Sequence, residues 1–184
     1  MEIIFTNDKS KFFMKRELNN TVIFASSPGG HFAQLLALHE LFDKYQTVIV
    51  TSNQSANFTI PELKNVYAIE RISNNRNKLS QTGKRESRLK KIPLYFQTYK
   101  DCYKVWKKYR PKVVVSTGSN IAIPLCLIGK FFGSKFVFIE TRAKVYSKTA
   151  TGKAIGSIAD IVLVQWPEMV DVYGGKAQYL GTLV

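Results

Sequence analysis

The segment TVIFASSPGGHFAQLL, residues 21–36, decides the fold class. It begins with a run of β-branched and aromatic residues, Thr21–Ala25, which is typical of a buried strand. It ends with apolar residues at helical spacing, Phe32, Leu35 and Leu36. A turn of serine, proline and glycine lies between the two. A strand that passes through a glycine turn into a helix is the first part of a βαβ unit.

The same alternation of short apolar strands with helix-length segments continues along the chain. Strands that are apolar on both faces and alternate with helices predict a parallel sheet with helices on either side. We therefore predict a single Rossmann-like, doubly wound α/β domain over residues 21–184, after an N-terminal extension over residues 1–20. The predicted strands are Thr21–Ala25, Thr47–Val50, Val66–Ile69, Val113–Ser116, Phe136–Ile139 and Ile161–Val164. The predicted helices are His31–Phe42, Ile92–Tyr109, Ile121–Phe132 and Thr151–Ala159.

Composition and charge limit the class of protein. The chain has 184 residues, enough for one domain with a full core, and 45% of them are hydrophobic, which excludes a disordered protein. Its net charge of +14 indicates an anionic partner, which is a nucleic acid, a phospholipid surface or a phosphorylated substrate. The longest apolar run is well short of the ~20 residues that a bilayer-spanning helix needs. We therefore expect no transmembrane helix. Because Cys102 and Cys126 lack metal-ligand spacing, we also expect no metal, and we expect no other cofactor.

A basic segment, Arg71–Lys91, interrupts the alternation and is predicted to be a long flexible loop. The predicted helix that follows it continues the charge and interleaves it with aromatic residues. A basic helix with aromatic side chains suits the surface of an anionic membrane. The alternative is an ordinary surface helix whose apolar side faces the core. Our predicted membrane contacts in the loop and helix are Lys84, Arg85, Arg88, Lys90, Lys91, Tyr95, Tyr99 and Trp106.

Three polar turns follow predicted strands, and ligands of open parallel sheets bind beyond the carboxyl ends of the strands. The first turn holds two glycines, which let a ligand approach the backbone, and the N–H groups of the following helix attract an anion. The second turn is small and polar, and the third places two cations behind a carboxylate. We predict that these turns form one substrate-binding crevice. The predicted binding residues are Gly29, Gly30, Thr117, Gly118, Ser119, Asn120, Arg142 and Lys144.

His31 and Glu140 are the candidate proton acceptors in this crevice. A neutral imidazole can serve as a base near pH 7, and a carboxylate at a strand end can do the same. The alternatives are that His31 only orients a ligand and that Glu140 only pairs with Arg142. The second histidine, His39, lacks such polar neighbours and is interpreted as structural. The glycine turn has neither the dinucleotide spacing nor a P-loop lysine, so it carries no nucleotide fingerprint.

Four stretches resemble the Alg14-like family, which includes bacterial polysaccharide-biosynthesis subunits of the PssD and EpsE type. They are SPGGHFAQLLAL (27–38), STGSNIAIPLCLIG (116–129), FIETRAKVYSKTATGKAIGSIADIVLVQWPEM (138–169) and YLGTLV (179–184). The resemblance extends from about Val22 to Val184. It implies the fold of the N-terminal, acceptor-binding domain of a GT-B glycosyltransferase that is split over two chains.

The resemblance also implies a function and a partner. An Alg13-like catalytic subunit would carry the UDP-sugar site. The complex would transfer a sugar, with inversion, to a polyprenyl-diphosphate-linked acceptor in exopolysaccharide or capsule biosynthesis. The chain would then bind peripherally at the cytoplasmic face of the plasma membrane. A tryptophan beside a proline suits an interface, so we predict that the partner contacts Gln165, Trp166, Pro167, Glu168 and Leu180.

Three other classes of function stay open at this point. The chain could be a non-catalytic scaffold that only recruits and activates the partner glycosyltransferase. It could also be a standalone enzyme with a nucleotide in its crevice. The third class is a basic nucleic-acid-binding protein, but its charge is concentrated in one loop and one helix. Because the chain has no motif of such proteins, we expect no nucleic-acid partner.

Overall fold

A computed structural model of the chain describes residues 18–52, 63–72 and 92–183. Seven strands form one sheet, namely β1 (Asn19–Ala25), β2 (Gln46–Ser52), β3 (Ala68–Ile72), β4 (Pro111–Ser116), β5 (Lys135–Ile139), β6 (Ile161–Val164) and β7 (Ala177–Tyr179). The helices are α1 (Gly30–Leu36), α2 (Ile92–Tyr109), α3 (Ala122–Phe131), α4 (Ala150–Ile155) and α5 (Met169–Tyr173). A 3₁₀ turn, His39–Leu41, follows α1.

The strand order is β3-β2-β1-β4-β5-β6-β7, and every neighbouring pair is parallel. The chain builds outward from β1 to β3 and then returns to the other side of β1, where β4 starts the second half. In an open parallel sheet, the loops on either side of such a switch point diverge and leave a crevice. The register pairs Ala25 with Ser116, so the loops after β1 and β4 leave the sheet side by side.

The helices cover the two faces of the sheet unequally. Helices α2, α3, α4 and α5 contribute to one buried cluster, together with Ile23, Val114, Phe136 and Val162 of the strands. Helix α1 and the residues after it form the smaller cluster on the opposite face, over β1, β2 and β4. Side chains alternate along each strand, so residues of odd and even number on one strand belong to different clusters. The doubly wound α/β fold is therefore confirmed, with most helices on one side.

The six predicted strands are confirmed, with boundaries that differ by up to three residues. Strand β7 and helix α5 were not predicted, because each is too short to show a hydrophobic period. The predicted helix His31–Phe42 was too long, since α1 ends at Leu36 and a 3₁₀ turn follows. A continued α-helix would turn the polar His39 inward, seven residues after Phe32. The tighter turn instead packs Leu38 and Leu41 against the smaller cluster.

Some predictions fall on residues that the structure does not describe. Residues 1–17 of the predicted N-terminal extension lie outside the described part, and β1 begins at Asn19, inside the predicted extension. The predicted basic loop begins within β3, which includes Arg71, and residues 73–91 lie outside the described part. The predicted membrane contacts on those residues are Lys84, Arg85, Arg88, Lys90 and Lys91.

Candidate functional site

The turns after β1 and β4 are joined by hydrogen bonds across the switch point. The Nδ1 atom of His31 lies 2.8 Å from the carbonyl oxygen of Thr117. The Thr117 hydroxyl in turn donates to the carbonyl oxygen of His31 at 2.7 Å. Below them the Ser116 hydroxyl donates to the carbonyl of Ala25 at 2.7 Å. The first two predicted turns therefore lie side by side at the carboxyl edge of the sheet. Thr117 is fully buried and its hydroxyl is engaged, so its side chain is not available to a substrate as we predicted.

The hydrogen bond to Thr117 determines which ring nitrogen of His31 carries a hydrogen. A carbonyl oxygen can only accept a hydrogen bond, so Nδ1 must be the donor. In the neutral ring, Nε2 then carries the lone pair. The ring is partly exposed, which leaves this lone pair as the acceptor that a ligand hydroxyl can meet. His31 therefore has the protonation pattern that a general base requires.

Gly118 allows the imidazole to lie directly against the second turn. Its φ of +112° favours glycine, and a Cβ atom there would lie 3.1 Å from Cε1 and 3.2 Å from Nδ1 of His31. The next residue, Ser119, is not glycine but also has a positive φ, 95°. Its hydroxyl oxygen is buried and has no hydrogen-bond partner among the residues that the structure describes. Backbone strain and an unsatisfied polar atom are features of binding sites.

The glycines of the first turn leave its backbone open. Gly29 has a φ of +105° and precedes the first residue of α1. Gly29 and Gly30 are both exposed, and a Cβ atom on either would meet nothing within 4 Å. Asn120, the last residue of the second turn, is partly exposed. The surface beside His31 therefore consists largely of backbone and small polar groups.

The third predicted turn differs, because the structure buries its carboxylate. Glu140 follows β5 and is only 1% exposed. Its Oε1 atom accepts from the amide of Thr141 at 2.9 Å, and Oε2 accepts from the amide of Thr149 at 3.0 Å and from its hydroxyl at 3.1 Å. The Tyr173 hydroxyl also donates to Oε2. The structure thus corrects our prediction of Glu140 as a base, since both oxygens are engaged in holding residues 141–149.

Tyr173 is the residue of this site that the sequence did not indicate. It reaches Glu140 from α5 by crossing α4 at Gly152, within the helix, and at Gly156, which caps its C-terminus. A Cβ atom on Gly152 would lie 2.5 Å from Glu140 Oε2, and one on Gly156 would lie 2.7 Å from Tyr173 Cε1. Burial raises the pKa of Tyr173, and the hydrogen bond to Glu140 raises it further. The two glycines are four residues apart in the sequence, a spacing that places them on one side of a helix. This spacing could have indicated that another side chain packs closely there.

The cations of the third turn are exposed, and hydrogen bonds hold the backbone that carries them. Arg142 and Lys144 are both exposed. The indole of Trp166 donates to the carbonyl oxygen of Arg142 at 2.7 Å, so residues 141–149 are fixed near both ends. The Thr151 hydroxyl lies 3.4 Å from the carbonyl oxygen of Ser119, which connects this region to the second turn. The two cations therefore lie on an exposed segment, and the residues that follow it contact the second turn.

Two of the three predicted membrane contacts on α2 have exposed side chains. Tyr95 and Tyr99 are exposed, and so is Phe96, at 73%. Trp106 is fully buried, so its assignment as a membrane contact was wrong. It lies on the same helical side as Tyr99, but there α3 covers the helix. In the described part of the chain, no helix has the length and apolar character needed to cross a bilayer.

The predicted partner interface is only partly exposed. Gln165 is 2% exposed, so it is not available to a partner as predicted. Its amide donates to the carbonyl of Glu140 at 2.9 Å, and its Oε1 accepts from the amide of Leu183 at 3.0 Å. Trp166 is partly buried, and Pro167, Glu168 and Leu180 are exposed. Gln165 thus connects the end of β5 to the C-terminal segment.

Comparison with known proteins agrees with this architecture. The family described as oligosaccharide biosynthesis protein Alg14 like matches residues 21–183. A mouse relative named UDP-N-acetylglucosamine transferase subunit ALG14 is 24% identical over 92% of this chain and 85% of its own length. The Schizosaccharomyces pombe protein named UDP-N-acetylglucosamine transferase subunit alg14 is 36% identical, over 39% of this chain and 36% of its own.

Solved glycosyltransferases share the fold. MurG of Acinetobacter baumannii has a TM-score of 0.67 and 16% identity, over 89% of this chain and 45% of its own. The lipopolysaccharide galactosyltransferase WaaB has a TM-score of 0.58 and 12% identity, over 86% of this chain and 44% of its own. This chain thus spans under half the length of these single-chain enzymes, with the Rossmann-like fold of GT-B glycosyltransferases. Since the family match covers nearly the whole described sheet and its flanking helices, the chain belongs to the Alg14 family.

Proposed function

We propose that the chain is the acceptor-binding subunit of a two-component, inverting GT-B glycosyltransferase. Its Alg13-like partner supplies the UDP-sugar site, and the acceptor is a saccharide linked to polyprenyl diphosphate. The names of the curated relatives, which specify a UDP-N-acetylglucosamine transferase subunit, support the donor class. Exopolysaccharide or capsule synthesis is the polymer context that we propose from the sequence resemblance.

One observation carries this proposal, namely the imidazole of His31 at the switch point. Its Nδ1 hydrogen is committed to Thr117, so Nε2 is the acceptor. Open backbone at Gly29 and Gly30, and the unsatisfied Ser119 hydroxyl, lie in the same two turns. Arg142 and Lys144 beside them suit a diphosphate, since charge-assisted hydrogen bonds to phosphate are strong.

In the proposed reaction an acceptor hydroxyl attacks the anomeric carbon of the UDP-sugar held by the partner. The new carbon–oxygen bond forms as the bond to the UDP oxygen breaks, and UDP leaves with the electron pair. Nε2 of His31 takes the proton of the attacking hydroxyl. A positioned general base typically contributes ~10²–10⁴-fold to the rate.

We also propose that α2 brings this crevice to an anionic membrane at the cytoplasmic face. A helix that connects parallel strands runs antiparallel to them, so the first turns of α2 lie at the carboxyl edge of the sheet. Tyr95, Phe96 and Tyr99 are exposed there, and Lys100 follows on the next exposed position. Aromatic and basic side chains at one edge suit the interface of a membrane that holds the acceptor.

The test is co-expression with an Alg13-type subunit from the same genome, followed by transfer from UDP-N-acetylglucosamine to a polyprenyl-diphosphate acceptor. We expect transfer by the complex and none by either subunit alone. His31→Ala should lower turnover by about 10²–10⁴-fold in an intact complex. His39→Ala is the matched control, because its Nδ1 also bonds a carbonyl, that of Leu36 at 3.1 Å, on an exposed turn.

Two outcomes would contradict the proposal. Full transfer by the chain without a partner would show a standalone enzyme. Unchanged turnover of His31→Ala in an intact complex would show a scaffold that activates its partner without touching the acceptor.

A further inference from the structure

Tyr173 of α5 contacts the carboxylate that follows β5. Its hydroxyl donates to Glu140 Oε2, and the residue is only 9% exposed. Gly152 of α4 leaves room for this approach, because a Cβ atom there would clash with the Tyr173 hydroxyl. Since burial holds the pKa of Tyr173 above its usual range, the hydroxyl keeps its hydrogen at neutral pH and remains a donor.

The same carboxylate holds both ends of one largely exposed segment. Its Oε1 atom accepts from the amide of Thr141, and Oε2 accepts from the amide and the hydroxyl of Thr149. We call residues 141–149 the cationic segment, since it carries Arg142, Lys144 and Lys148. Tyr173 gives a further hydrogen bond to Oε2, so its hydroxyl fixes the group to which the segment is anchored.

The ring of Tyr173 also contacts the cationic segment. The Nζ atom of Lys148 lies 4.6 Å from the centre of the ring, which is within the range of a cation–π interaction. Lys148 precedes Thr149, so the ring and the hydroxyl act on adjacent residues. Arg142 and Lys144 are exposed on the same segment. One buried tyrosine thus supports the backbone that presents these cations to the solvent.

We propose that Tyr173 is a positioning residue, which through Glu140 and Lys148 holds the cationic segment in the geometry that binds the diphosphate of the acceptor. This inference rests on the proposed function, in which Arg142 and Lys144 contact that diphosphate. Such support raises affinity, because a segment that is already ordered loses less conformational entropy when the ligand binds. Loss of the Tyr173 hydroxyl should therefore weaken acceptor binding and leave proton removal at the first turn nearly unchanged.

The first experiment tests the support itself, by amide hydrogen exchange of the full chain without a partner. Tyr173→Phe removes the hydroxyl and keeps the ring, so the fold should be retained. The amides of Thr141 and Thr149, which donate to Glu140, should exchange about tenfold faster in this variant, since local opening sets their rate. Unchanged exchange at Thr149 would overturn the proposal.

Tyr109→Phe is the matched control. The Tyr109 hydroxyl also donates to a carboxylate, that of Glu70 at 2.5 Å, and the residue is 6% exposed. It is the last residue of α2, at the opposite edge of the sheet from the turns that hold His31. The control should change exchange at Thr141 and Thr149 less than about twofold. Equal acceleration by both variants would indicate a general loss of stability and would refute the positioning role.

The second experiment measures transfer kinetics in the complex with an Alg13-type subunit. Tyr173→Phe should raise the KM for the polyprenyl-diphosphate acceptor about tenfold, while kcat and the KM for the UDP-sugar stay within about threefold of wild type. Tyr109→Phe should leave all three constants within about twofold. A residue that only stabilises the fold would lower the Tm without this selective change in the acceptor KM.

A combined variant tests whether Tyr173 acts through the cations. It carries Arg142→Gln, Lys144→Gln and Lys148→Gln, which keep long polar side chains without the charge. In this background, Tyr173→Phe should change the acceptor KM less than about twofold, because the charges that it positions are gone. A further increase of about tenfold would show that Tyr173 acts elsewhere, and the proposal would be wrong.

The outcomes separate this inference from the proposed function. If the wild-type complex transfers no sugar to a diphosphate-linked acceptor, the proposed function fails and this inference fails with it. If transfer occurs and Tyr173→Phe leaves the acceptor KM unchanged, only the positioning role is overturned.

Discussion

His31 and Glu140 occupy similar places in the sequence and opposite chemical situations in the structure. Each follows the carboxyl end of a central strand, beside small polar residues. His31 commits one ring nitrogen to a carbonyl and keeps the other as an acceptor. Glu140 is buried, and donors from Thr141, Thr149 and Tyr173 occupy its oxygens. The comparison teaches that the end of a strand gives a residue its location, while its remaining hydrogen-bonding capacity decides whether it can meet a substrate.

The largest expected effect comes from removing the Glu140 carboxylate. Glu140→Ala leaves the amides of Thr141 and Thr149 and the Tyr173 hydroxyl without their acceptor in a buried place. Each buried donor left without its acceptor costs ~1–3 kcal/mol, so we expect a total loss of about 3–5 kcal/mol. Because 1 kcal/mol shifts the Tm of a protein of this size by ~2–4 °C, we expect the Tm to fall by roughly 10 °C. Thermal denaturation of the purified variant measures this.

Glu140→Gln sharpens the same comparison. Glutamine retains the shape and one acceptor oxygen, so we expect a smaller fall in Tm and a turnover within a few-fold of wild type at a temperature where the variant is folded. A hundredfold loss of turnover with unchanged Tm would instead identify Glu140 as the base.

An effect of intermediate size on transfer is expected for a substitution of Gly118, whose backbone lies against the imidazole of His31. Gly118→Ala and Gly133→Ala both place alanine at a positive φ, +112° and +91°, and each should lose about 1 kcal/mol of stability. Only at Gly118 would the new Cβ meet the His31 ring. We expect Gly118→Ala alone to lower transfer, by about tenfold to a hundredfold, since small misplacements of catalytic groups are costly. Equal turnover of both variants would show that the ring position is unimportant.

The smallest effect is expected for a carboxylate at the opposite end of the sheet. Burial acts to raise the pKa of Asp160, but hydrogen bonds from Lys130, the Phe136 amide and Lys135 outweigh it and lower the pKa below 3.8. A lowered pKa in the folded state stabilises the protein above pH 3.8, and the gain is lost as the pH falls through the folded value. Asp160→Asn should therefore lower the Tm by a few degrees at pH 7, from about 1 kcal/mol.

Thermal denaturation at pH 7 and below pH 3.8 checks this prediction for Asp160. The difference between wild type and Asp160→Asn should narrow at the lower pH. A difference that widened in acid would contradict the assignment. Turnover at pH 7 should stay unchanged, because Asp160 lies far from the turns that hold His31.

Sequence patterns predicted the parts of the fold that have strong local signals. Strand β1 is apolar on both faces, and the glycine turn after it is followed by helical spacing, so the switch point could be located. Strand β7, with the sequence Ala-Gln-Tyr, has no such signal. The end of α1 at Leu36 was missed because Leu38 departs by only one residue from the helical period. The packing of Leu38 and Leu41 against the smaller cluster, which the sequence does not show, accompanies the end of the helix.

The location of the candidate site could be predicted from the sequence, but the burial of its residues could not. The rule that ligands bind beyond the carboxyl ends of parallel strands brought His31 and residues 117–120 together correctly. It could not reveal the burial of Glu140, since one of its donors, Tyr173, lies 33 residues away. Trp106 was misassigned because a helical wheel does not show which half of a helix a neighbouring helix covers. Burial depends on contacts between distant segments, and a local pattern does not contain them.

The paired hydrogen bonds between His31 and Thr117 have a consequence for how an acceptor is sensed. Each residue holds the other through its backbone carbonyl, so neither turn can shift without moving the other. Under the proposed function, an acceptor that binds at Ser119 or Asn120 would move the imidazole of His31 as it docks. Recognition and proton removal would then respond to one displacement, and a poorly fitting acceptor would misalign the base that its own hydroxyl needs.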